Sequence, residues 1–195
     1  MAKPNGISKR DLIRYAKACL VDKGIENFTL RAVAETAGVT QGTIYYHFRT
    51  KEQLLIDIVR DICETSWQEI SRHREDAIEQ AVTSAKSRCS YDSYFHKLWI
   101  SLVASSFNNE EIRNRLGEIM AMENKALSGN LSSLWAASPI EGVSWETWGV
   151  LLNAIVDGLA LQALLQKDFP VEKIYREFEH FMKGLSALID KEGKK

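Results

Sequence analysis

The stretch Thr40–Lys51, with sequence TQGTIYYHFRTK, constrains the fold and function of this chain more strongly than any other segment. Read as a helix at about 100° per residue, it places Ile44 and Phe48 one turn apart on an inward face and Tyr46 on the opposite face. The outward face carries hydrogen-bonding groups and aromatic rings but no carboxylate, whereas a solvated helix face usually mixes acidic and basic side chains. Gly42 on that face lets another molecule approach the backbone closely. The pattern predicts a helix that lies against an anionic partner, and we interpret it as a recognition helix for the major groove of DNA.

A helix-turn-helix is predicted around this stretch. Thr29 and Thr40 have side chains that are preferred at helix N-caps, and Gly38 between them suits the sharp end of a helix. Two short helices joined by a tight, glycine-containing turn are the pattern of a helix-turn-helix. A helix at about residues 9–23, capped by Ser8, precedes them. The sequence therefore predicts a three-helix N-terminal domain.

The rest of the chain predicts an all-α fold of about nine helices. The 195 residues include only three prolines, and no stretch alternates between polar and apolar residues as a half-buried β-strand does. A capping box of Thr50 and Gln53 starts a fourth helix. The charged stretch at residues 71–76 is interpreted as a solvated loop or helix end. Five further helices are expected near residues 77–89, 91–107, 109–135, 145–168 and 171–191.

Charge is distributed unevenly along the chain. Residues 1–60 contain ten Lys and Arg against six Asp and Glu, whereas the whole chain has a net charge of −1. A basic N-terminal third on an acidic body is expected of a nucleic-acid-binding module that is joined to a second part.

Several classes of function are excluded by what the sequence lacks. It has no P-loop, GxGxxG, HExxH or GxSxG motif, so we assign no catalytic residue and no cofactor and do not expect an enzyme. The cysteines Cys19, Cys63 and Cys89 lie too far apart for a zinc site, so no metal is expected. The N-terminus lacks the apolar stretch of a signal peptide, and the chain has no run of about 18 apolar residues. We therefore expect a cytoplasmic protein that does not span a membrane.

The last two helices carry more apolar surface than one small protomer can cover. The helix near residues 145–168 has a very broad apolar face, and the final helix keeps apolar residues at three- and four-residue spacing. Part of this surface is expected to bury against a second copy, as an intersubunit four-helix bundle. The alternative is that both helices simply belong to the core. The residues assigned to the dimer interface are Leu152, Ile155, Leu159, Phe178, Phe181 and Leu185.

The N-terminal motifs resemble those of the TetR family of bacterial transcriptional regulators. The matching residues are Thr29, Val33, Ala34, Ala37–Phe48, Thr50–Glu52, Leu54 and Leu55. The resemblance covers about residues 8–58, and residues 151–165 look like the corresponding part of the BetI-like branch. It implies a helix-turn-helix DNA-binding domain at residues 1–52 and a helical effector-binding and dimerisation domain at residues 53–195. It also implies a homodimeric repressor that binds a palindromic operator in double-stranded DNA and is released by a small-molecule effector.

The resemblance implies DNA contacts by position. Base edges are assigned to Gln41, Thr43 and Tyr46. Phosphates are assigned to Thr40, Tyr45, His47 and to Lys51 at the start of the fourth helix. Arg31 on the second helix is assigned to a base or a phosphate. The complete set assigned to DNA is Arg31, Thr40, Gln41, Gly42, Thr43, Tyr45, Tyr46, His47 and Lys51.

The effector is expected to enter the C-terminal body. An aromatic set there would cage a quaternary ammonium through cation–π attraction, as suits a BetI-like choline sensor, or hold a lipophilic compound. The residues assigned to the effector site are Tyr91, Tyr94, Phe95, Trp99, Met120, Asn153 and Asp157.

Three of these assignments keep an alternative. The alternative for Tyr45 is that it packs against the protein instead of binding phosphate. The alternative for Arg31 is that it pairs with Glu35 one turn on instead of binding DNA. Asp157 anchors a ligand, holds the dimer or faces solvent, and of these a structural role is favoured.

Overall fold

The structure is a computed structural model that describes residues 6–72, 76–135 and 137–192. Over these ranges the chain forms nine α-helices and no β-strand, which confirms the predicted all-α fold. The helices are α1 (Lys9–Lys23), α2 (Leu30–Ala37), α3 (Gln41–Phe48), α4 (Lys51–Arg72), α5 (Ala77–Arg88), α6 (Tyr94–Ser106), α7 (Glu110–Leu134), α8 (Trp145–Leu165) and α9 (Val171–Glu192).

Two helix ends differ from the prediction. α6 begins at Tyr94 rather than near residue 91, because the Ser93 hydroxyl accepts a hydrogen bond from the His96 backbone N–H at 3.3 Å and caps the helix there. α8 ends at Leu165, before the predicted end near residue 168. The chain between α8 and α9 is accordingly longer than the sequence pattern indicated.

The chain divides into two compact units. The first comprises Met1–Ile62 and Leu98–Leu116, and the second comprises Cys63–Lys97 and Gly117–Lys195. The domain boundary expected after residue 52 stays a prediction. The break expected at residues 71–76 falls partly outside the described ranges, because residues 73–75 are not among them.

Local capping explains why the first three helices form where they do. The Ser8 hydroxyl accepts a hydrogen bond from the Asp11 N–H at 3.1 Å, and the Thr29 and Thr40 hydroxyls cap α2 and α3 in the same way, at 3.0 and 3.2 Å. Gly38 ends α2 with a φ of 66°, a left-handed conformation that glycine adopts without steric cost. These contacts confirm the predicted helix-turn-helix.

The capping box predicted for α4 forms only in part. The Gln53 N–H donates to the Thr50 hydroxyl at 3.1 Å, as predicted. The Gln53 side chain, however, donates to the Glu111 carboxylate at 3.0 Å instead of returning to the backbone of Thr50. This contact ties the first turn of α4 to the first turn of α7 within the first unit.

Two buried clusters hold the second unit together. One joins α5, α8 and α9, and the other joins α7, α8 and α9. Their buried members include Val82, Ala160 and Tyr175 in the first cluster and Leu131, Leu152 and Met182 in the second.

α7 and α8 approach closely at a point that we call the α7–α8 crossing, formed by Asn124, Gly149 and Asn153. A Cβ at Gly149 would lie 2.4 Å from the backbone oxygen of Asn124, so only glycine permits this approach. One turn along α8, the Asn153 amide donates a hydrogen bond to the Asn124 side-chain oxygen at 2.9 Å. Both contacts fix the spacing of the two helices.

One described helix, α8, is long and strongly apolar. An 18-residue window within it has a mean hydropathy of 1.6, so by length and composition alone this helix qualifies to cross a membrane. Only 33% of the window is buried inside the chain. Most of this apolar helix is therefore not covered within one protomer.

Candidate functional site

The exposed face of α3 is the first candidate site. The helix is held by its two buried residues, Ile44 and Phe48, and Tyr46 on the opposite face is 72% exposed. Gln41 and Gly42 are exposed on the same side. The face therefore presents an aromatic ring, an amide and open backbone to solvent without any negative charge.

Neighbouring side chains orient Tyr46. Its ring meets the half-buried His47 ring edge-on, with the centroids 5.1 Å apart. The hydroxyls of Thr40 and Thr43 lie 3.0 Å from each other, so each has a hydrogen-bond partner before any ligand arrives. The face is thus partly ordered in the free protein, which lowers the entropy cost of binding.

Arg49 is a candidate contact that the sequence analysis missed. It follows α3 with a φ of 60°, which residues with a side chain rarely adopt. Its guanidinium lies 5.6 Å from the centre of the Tyr45 ring, and both side chains are exposed. The signal was available, because a basic residue stands directly after the last core position of the recognition helix.

The two basic side chains predicted to bind DNA, Arg31 and Lys51, have polar partners within the protein. The Arg31 guanidinium pairs with Glu35 at 3.0 Å, which is the alternative named from the sequence. Because both side chains are exposed, the pair contributes little stability and is easily exchanged for another partner. The Lys51 ammonium donates to the Ile25 carbonyl at 3.1 Å, which uses one of its three donors and leaves two.

The second candidate site is a cavity of about 100 Å³ inside the second unit. Its apolar lining includes Trp67, Phe95 and Phe178. Its polar lining consists of Arg88, His96, Glu123, Asn130, Asn153 and Asp157. A few polar groups on an apolar wall are typical of small-molecule sites.

The predicted effector residues divide into two groups. Phe95, Asn153 and Asp157 line the cavity. Outside its lining are Tyr91, Tyr94 and Met120, which are exposed to solvent, and Trp99, which is buried and belongs to the first unit.

Glu123, Arg88 and His96 line the cavity but were not predicted. Glu123 precedes Asn124 of the α7–α8 crossing, and a single acid in the mostly apolar run of residues 119–124 was the available signal. The Arg88 guanidinium lies 5.2 Å from the centre of the Phe95 ring. The Arg88 carbonyl accepts a hydrogen bond from His96 Nδ1 at 2.8 Å.

Burial and charge shift the protonation of several groups around the cavity. Burial, with added repulsion from Glu123, raises the pKa of Asp157 to about 6, and the Arg88 charge opposes this rise. Burial and the Glu123 charge also raise the pKa of the Cys63 thiol well above its ordinary value. Burial lowers the pKa of His96, so its ring is neutral at neutral pH. Within the described ranges, no group of three or more His, Cys, Asp and Glu side chains is arranged to hold a metal ion.

The residues predicted for dimerisation differ in how exposed they are. Ile155 and Phe181 are 39% and 47% exposed, and Leu159 and Phe178 are half-buried. Leu152 and Leu185 are already buried in the core of the protomer. The exposed pair continues into an apolar surface on α8 that includes Val150, Leu151, Leu161 and Leu165.

α3 is capped by Thr40, follows a turn at the left-handed Gly38 and exposes a face free of carboxylates. These features define a helix-turn-helix DNA-binding module. Comparison with known proteins points to its family. Residues 12–58 match the family model described as "Bacterial regulatory proteins, tetR family". The N-terminal part of the chain thus matches the DNA-binding domain of the TetR family, and the comparisons support a TetR-family transcriptional regulator.

Relatives differ in how much of the chain they match. The chain is 36% identical over 58 residues to the HTH-type transcriptional repressor KstR2 of Mycolicibacterium smegmatis. This match covers 29% of this chain and only 28% of that protein. It is 28% identical over 163 residues to the fatty acid metabolism regulator protein of Bacillus subtilis, covering 81% and 76% of the two chains. It is 27% identical over 169 residues to the HTH-type transcriptional regulator BetI of Cronobacter sakazakii, covering 82% and 80%.

Solved structures share the fold. A TetR-family regulator from Rhodococcus sp. superposes with a TM-score of 0.68 at 19% identity, covering 90% of this chain and 96% of that one. A regulator from Saccharomonospora viridis, solved in complex with choline, superposes with a TM-score of 0.65 at 17% identity, covering 89% and 94%. These likenesses confirm the nine-helix architecture.

Proposed function

We propose that this protein is a homodimeric repressor that binds a palindromic operator and is released from it by a small molecule. The observation that carries the proposal is the outer face of α3, which is exposed, contains no carboxylate and is presented by a helix-turn-helix. Phosphate charge dominates the affinity of proteins for DNA, so a surface without acids suits the major groove. A regulator of this kind acts on the chromosome, and we place it in the cytoplasm.

The contacts to DNA follow from where the side chains lie. Gln41, Thr43 and Tyr46 face outward along α3 and are proposed to read base edges. The remaining predicted residues, together with Arg49, are proposed to bind phosphates and to set the register of the helix in the groove. The residues in this second set are Arg31, Thr40, Tyr45, His47, Arg49 and Lys51, and Gly42 gives the backbone room to approach.

The exposed apolar surface of α8 and α9 supports a homodimer. Ile155 and Phe181 are proposed as the contact, with Leu159 and Phe178 at its inner edge. Leu152 and Leu185 would support the contact from within the protomer, since they are already buried. A twofold dimer places two recognition helices on half-sites about 34 Å apart, so the operator is expected to be a palindrome.

The cavity in the second unit is the proposed effector site. It is lined by helices of that unit, and its mixed polar and apolar lining is suited to a small molecule. One relative is named as a regulator of fatty acid metabolism, and one solved neighbour is in complex with choline.

Selection of operators from a random duplex pool, at about physiological salt, tests the proposal. A palindrome is expected, with affinity well beyond the 10⁻⁴–10⁻⁶ M that is typical of non-specific binding. The selected duplex then allows the release step to be tested, by measuring whether cavity ligands lower operator affinity.

A control separates DNA reading from general charge. Tyr46→Phe removes only the hydroxyl that is proposed to read a base, whereas Glu64→Gln changes an exposed residue of α4 outside the helix-turn-helix. The first variant is expected to shift the selected sequence and the second to leave it unchanged. Failure of the folded, dimeric protein to enrich any sequence would show instead that the helix-turn-helix does not bind DNA and that ligand binding is the function.

A further inference from the structure

The cavity of the second unit holds two carboxylates, Asp157 and Glu123, neither of which forms an ion pair with a described residue. The Cys63 thiol donates a hydrogen bond to Glu123. Within the described ranges no residue donates a hydrogen bond to Asp157 or forms an ion pair with it. Arg88 is the basic residue of the lining, and its guanidinium lies over the Phe95 ring instead of pairing with Asp157 or Glu123. The cavity therefore carries one negative charge in excess when all three groups are ionised.

The two carboxylates are held in place by the α7–α8 crossing. Glu123 is the neighbour of Asn124, and Asp157 lies one turn beyond Asn153 on α8. Asn124 and Asn153 are joined by a 2.9 Å hydrogen bond at a point where Gly149 lets the helices meet. The same contacts that fix the helix spacing thus fix both carboxylates on the cavity wall.

The remaining lining favours the cationic partner that these carboxylates lack. Trp67, Phe95 and Phe178 present aromatic rings to the cavity. The face of an aromatic ring attracts a cation, and more strongly where water is excluded. An anionic ligand would instead have to enter beside two carboxylates, with Arg88 as the only guanidinium among the lining residues.

The size of the cavity favours a compact ligand. Its volume is about 100 Å³, which is less than the roughly 150 Å³ cavity known to hold benzene. A space of this size accepts an ammonium head group, with any further atoms of the ligand towards its opening, but not a long acyl chain.

We propose that the cavity binds a compact organic monocation, an amine or a quaternary ammonium, with its charge facing Asp157 and Glu123. This inference rests on the proposed ligand-responsive function, because it names the chemistry of the ligand for that same cavity. An amine would in addition donate hydrogen bonds to the carboxylates, whereas a quaternary ammonium would be held by charge and aromatic faces alone.

The protonation of Asp157 provides a readout that a merely structural carboxylate would not show. The pKa of Asp157 is raised to about 6 by burial and by Glu123 on α7, against the charge of Arg88 on α5. The other titratable groups around it are the Cys63 thiol on α4, the Tyr175 phenol on α9 and His96 on α6. A cation lowers this pKa, so cation binding near pH 6 releases protons, and cation affinity rises as the pH increases through this value.

Calorimetric titration of the full-length protein with three isosteric probes tests the proposal. The probes are choline, the neutral 3,3-dimethylbutan-1-ol and the anionic 3,3-dimethylbutyrate, and protonated 2-dimethylaminoethanol distinguishes an amine from a quaternary ammonium. At least one cation is expected to bind about tenfold or more tightly than the neutral isostere, with proton release near pH 6. Equal affinity for the neutral isostere, preference for the anion, or no saturable cation binding up to about 10 mM would overturn the proposal.

Variants assign the effect to the carboxylates. Asp157→Asn and Glu123→Gln keep the shape of each side chain and are each expected to weaken cation binding about tenfold without changing the affinity for the neutral alcohol. Asp168→Asn, an exposed acid between α8 and α9, is the matched control. If one cavity variant does not fold, the other variant and the probe series on the unmodified protein still decide the outcome.

Adding the selected operator separates this inference from the proposed function. If a cation binds but operator affinity does not change, the ligand class stands and the release step is wrong. If 3,3-dimethylbutyrate binds and lowers operator affinity, release stands and the cationic class is wrong.

Discussion

Replacing Gly149 by alanine tests whether the α7–α8 crossing sets the geometry of the cavity. The new Cβ would lie 2.4 Å from the backbone oxygen of Asn124 and 3.3 Å from the Cβ of Ser128. Because the first of these atoms is backbone, no side-chain rotation relieves the contact. The two helices must move apart, which strains the hydrogen bond between Asn153 and Asn124.

The expected magnitude follows from opposing terms. Alanine is favoured over glycine in a helix by about 1 kcal/mol. Forced displacement in a packed interior costs about 1–3 kcal/mol, and loss of the asparagine hydrogen bond adds about 1 kcal/mol. The free energy of unfolding should therefore fall by about 1–3 kcal/mol, which lowers the melting temperature by roughly 2–4 °C per kcal/mol for a chain of this size.

Gly129→Ala is the matched control. Gly129 is exposed on α7, and a Cβ there would meet nothing within 4 Å. The same chemical change is expected to stabilise the protein by up to about 1 kcal/mol at this position. The two variants should thus move the unfolding free energy in opposite directions.

Urea denaturation followed by circular dichroism measures both variants. It should be repeated at several protein concentrations, because dimerisation makes apparent stability depend on concentration. Cation affinity should fall with Gly149→Ala and stay unchanged with Gly129→Ala. If Gly149→Ala raised the urea midpoint as the control does, the close approach of α7 and α8 at this point would be refuted.

Three further predictions concern the cavity, the dimer and the DNA face. The pKa of Asp157 is raised to about 6, so the folded protein keeps a proton that the unfolded chain releases near pH 4. The free energy of unfolding should therefore fall by ~3 kcal/mol as the pH rises from 4 to 6. Urea titrations should show that Asp157→Asn gains the same amount of stability relative to the unmodified protein over this range. Phe181→Glu should convert the dimer to a monomer in analytical ultracentrifugation. Phe107→Glu, at a 73% exposed site in the first unit, should leave the dimer intact. If the Phe181→Glu variant remained a dimer, the proposed interface would be wrong. In fluorescence anisotropy, Lys51→Ala should weaken binding to operator and random DNA alike and should reduce the slope of log affinity against log salt concentration by about 1. Tyr46→Ala should weaken mainly binding to the operator. Equal losses of affinity for both variants on both duplexes would contradict these roles.

The first three helices could be predicted from the sequence because their signals are local. Ser8, Thr29 and Thr40 each cap a helix through a residue only three positions away, and Gly38 stops α2 through its own backbone conformation. Such contacts do not depend on how distant parts of the chain pack. The same reasoning explains the partial failure at Gln53, whose side chain finds Glu111 across a long stretch of sequence.

The cavity could be predicted only in part, because its lining is assembled from α4 to α9. Asp157 and Asn153 were identified as polar residues in an apolar helix, a feature visible in one segment. Glu123 and Arg88 were missed, since which face of α7 and α5 meets the cavity is decided by long-range packing. Tyr91 was assigned to the site as part of a helix, but α6 begins after it, and the Tyr91 side chain is exposed.

The properties of α8 are explained together if its three faces have three different neighbours. A helix that is apolar on all sides is usually buried or spans a membrane, yet only 33% of the apolar window of α8 is buried within the protomer. A transmembrane role is disfavoured by Asp157 in the same helix, because a carboxylate in a bilayer costs several kcal/mol. Leu152 faces the core, Asp157 faces the cavity and Ile155 lies on the outer surface. A second copy of the chain on that outer surface accounts for the exposed apolar residues and leaves the carboxylate free to meet a cation inside.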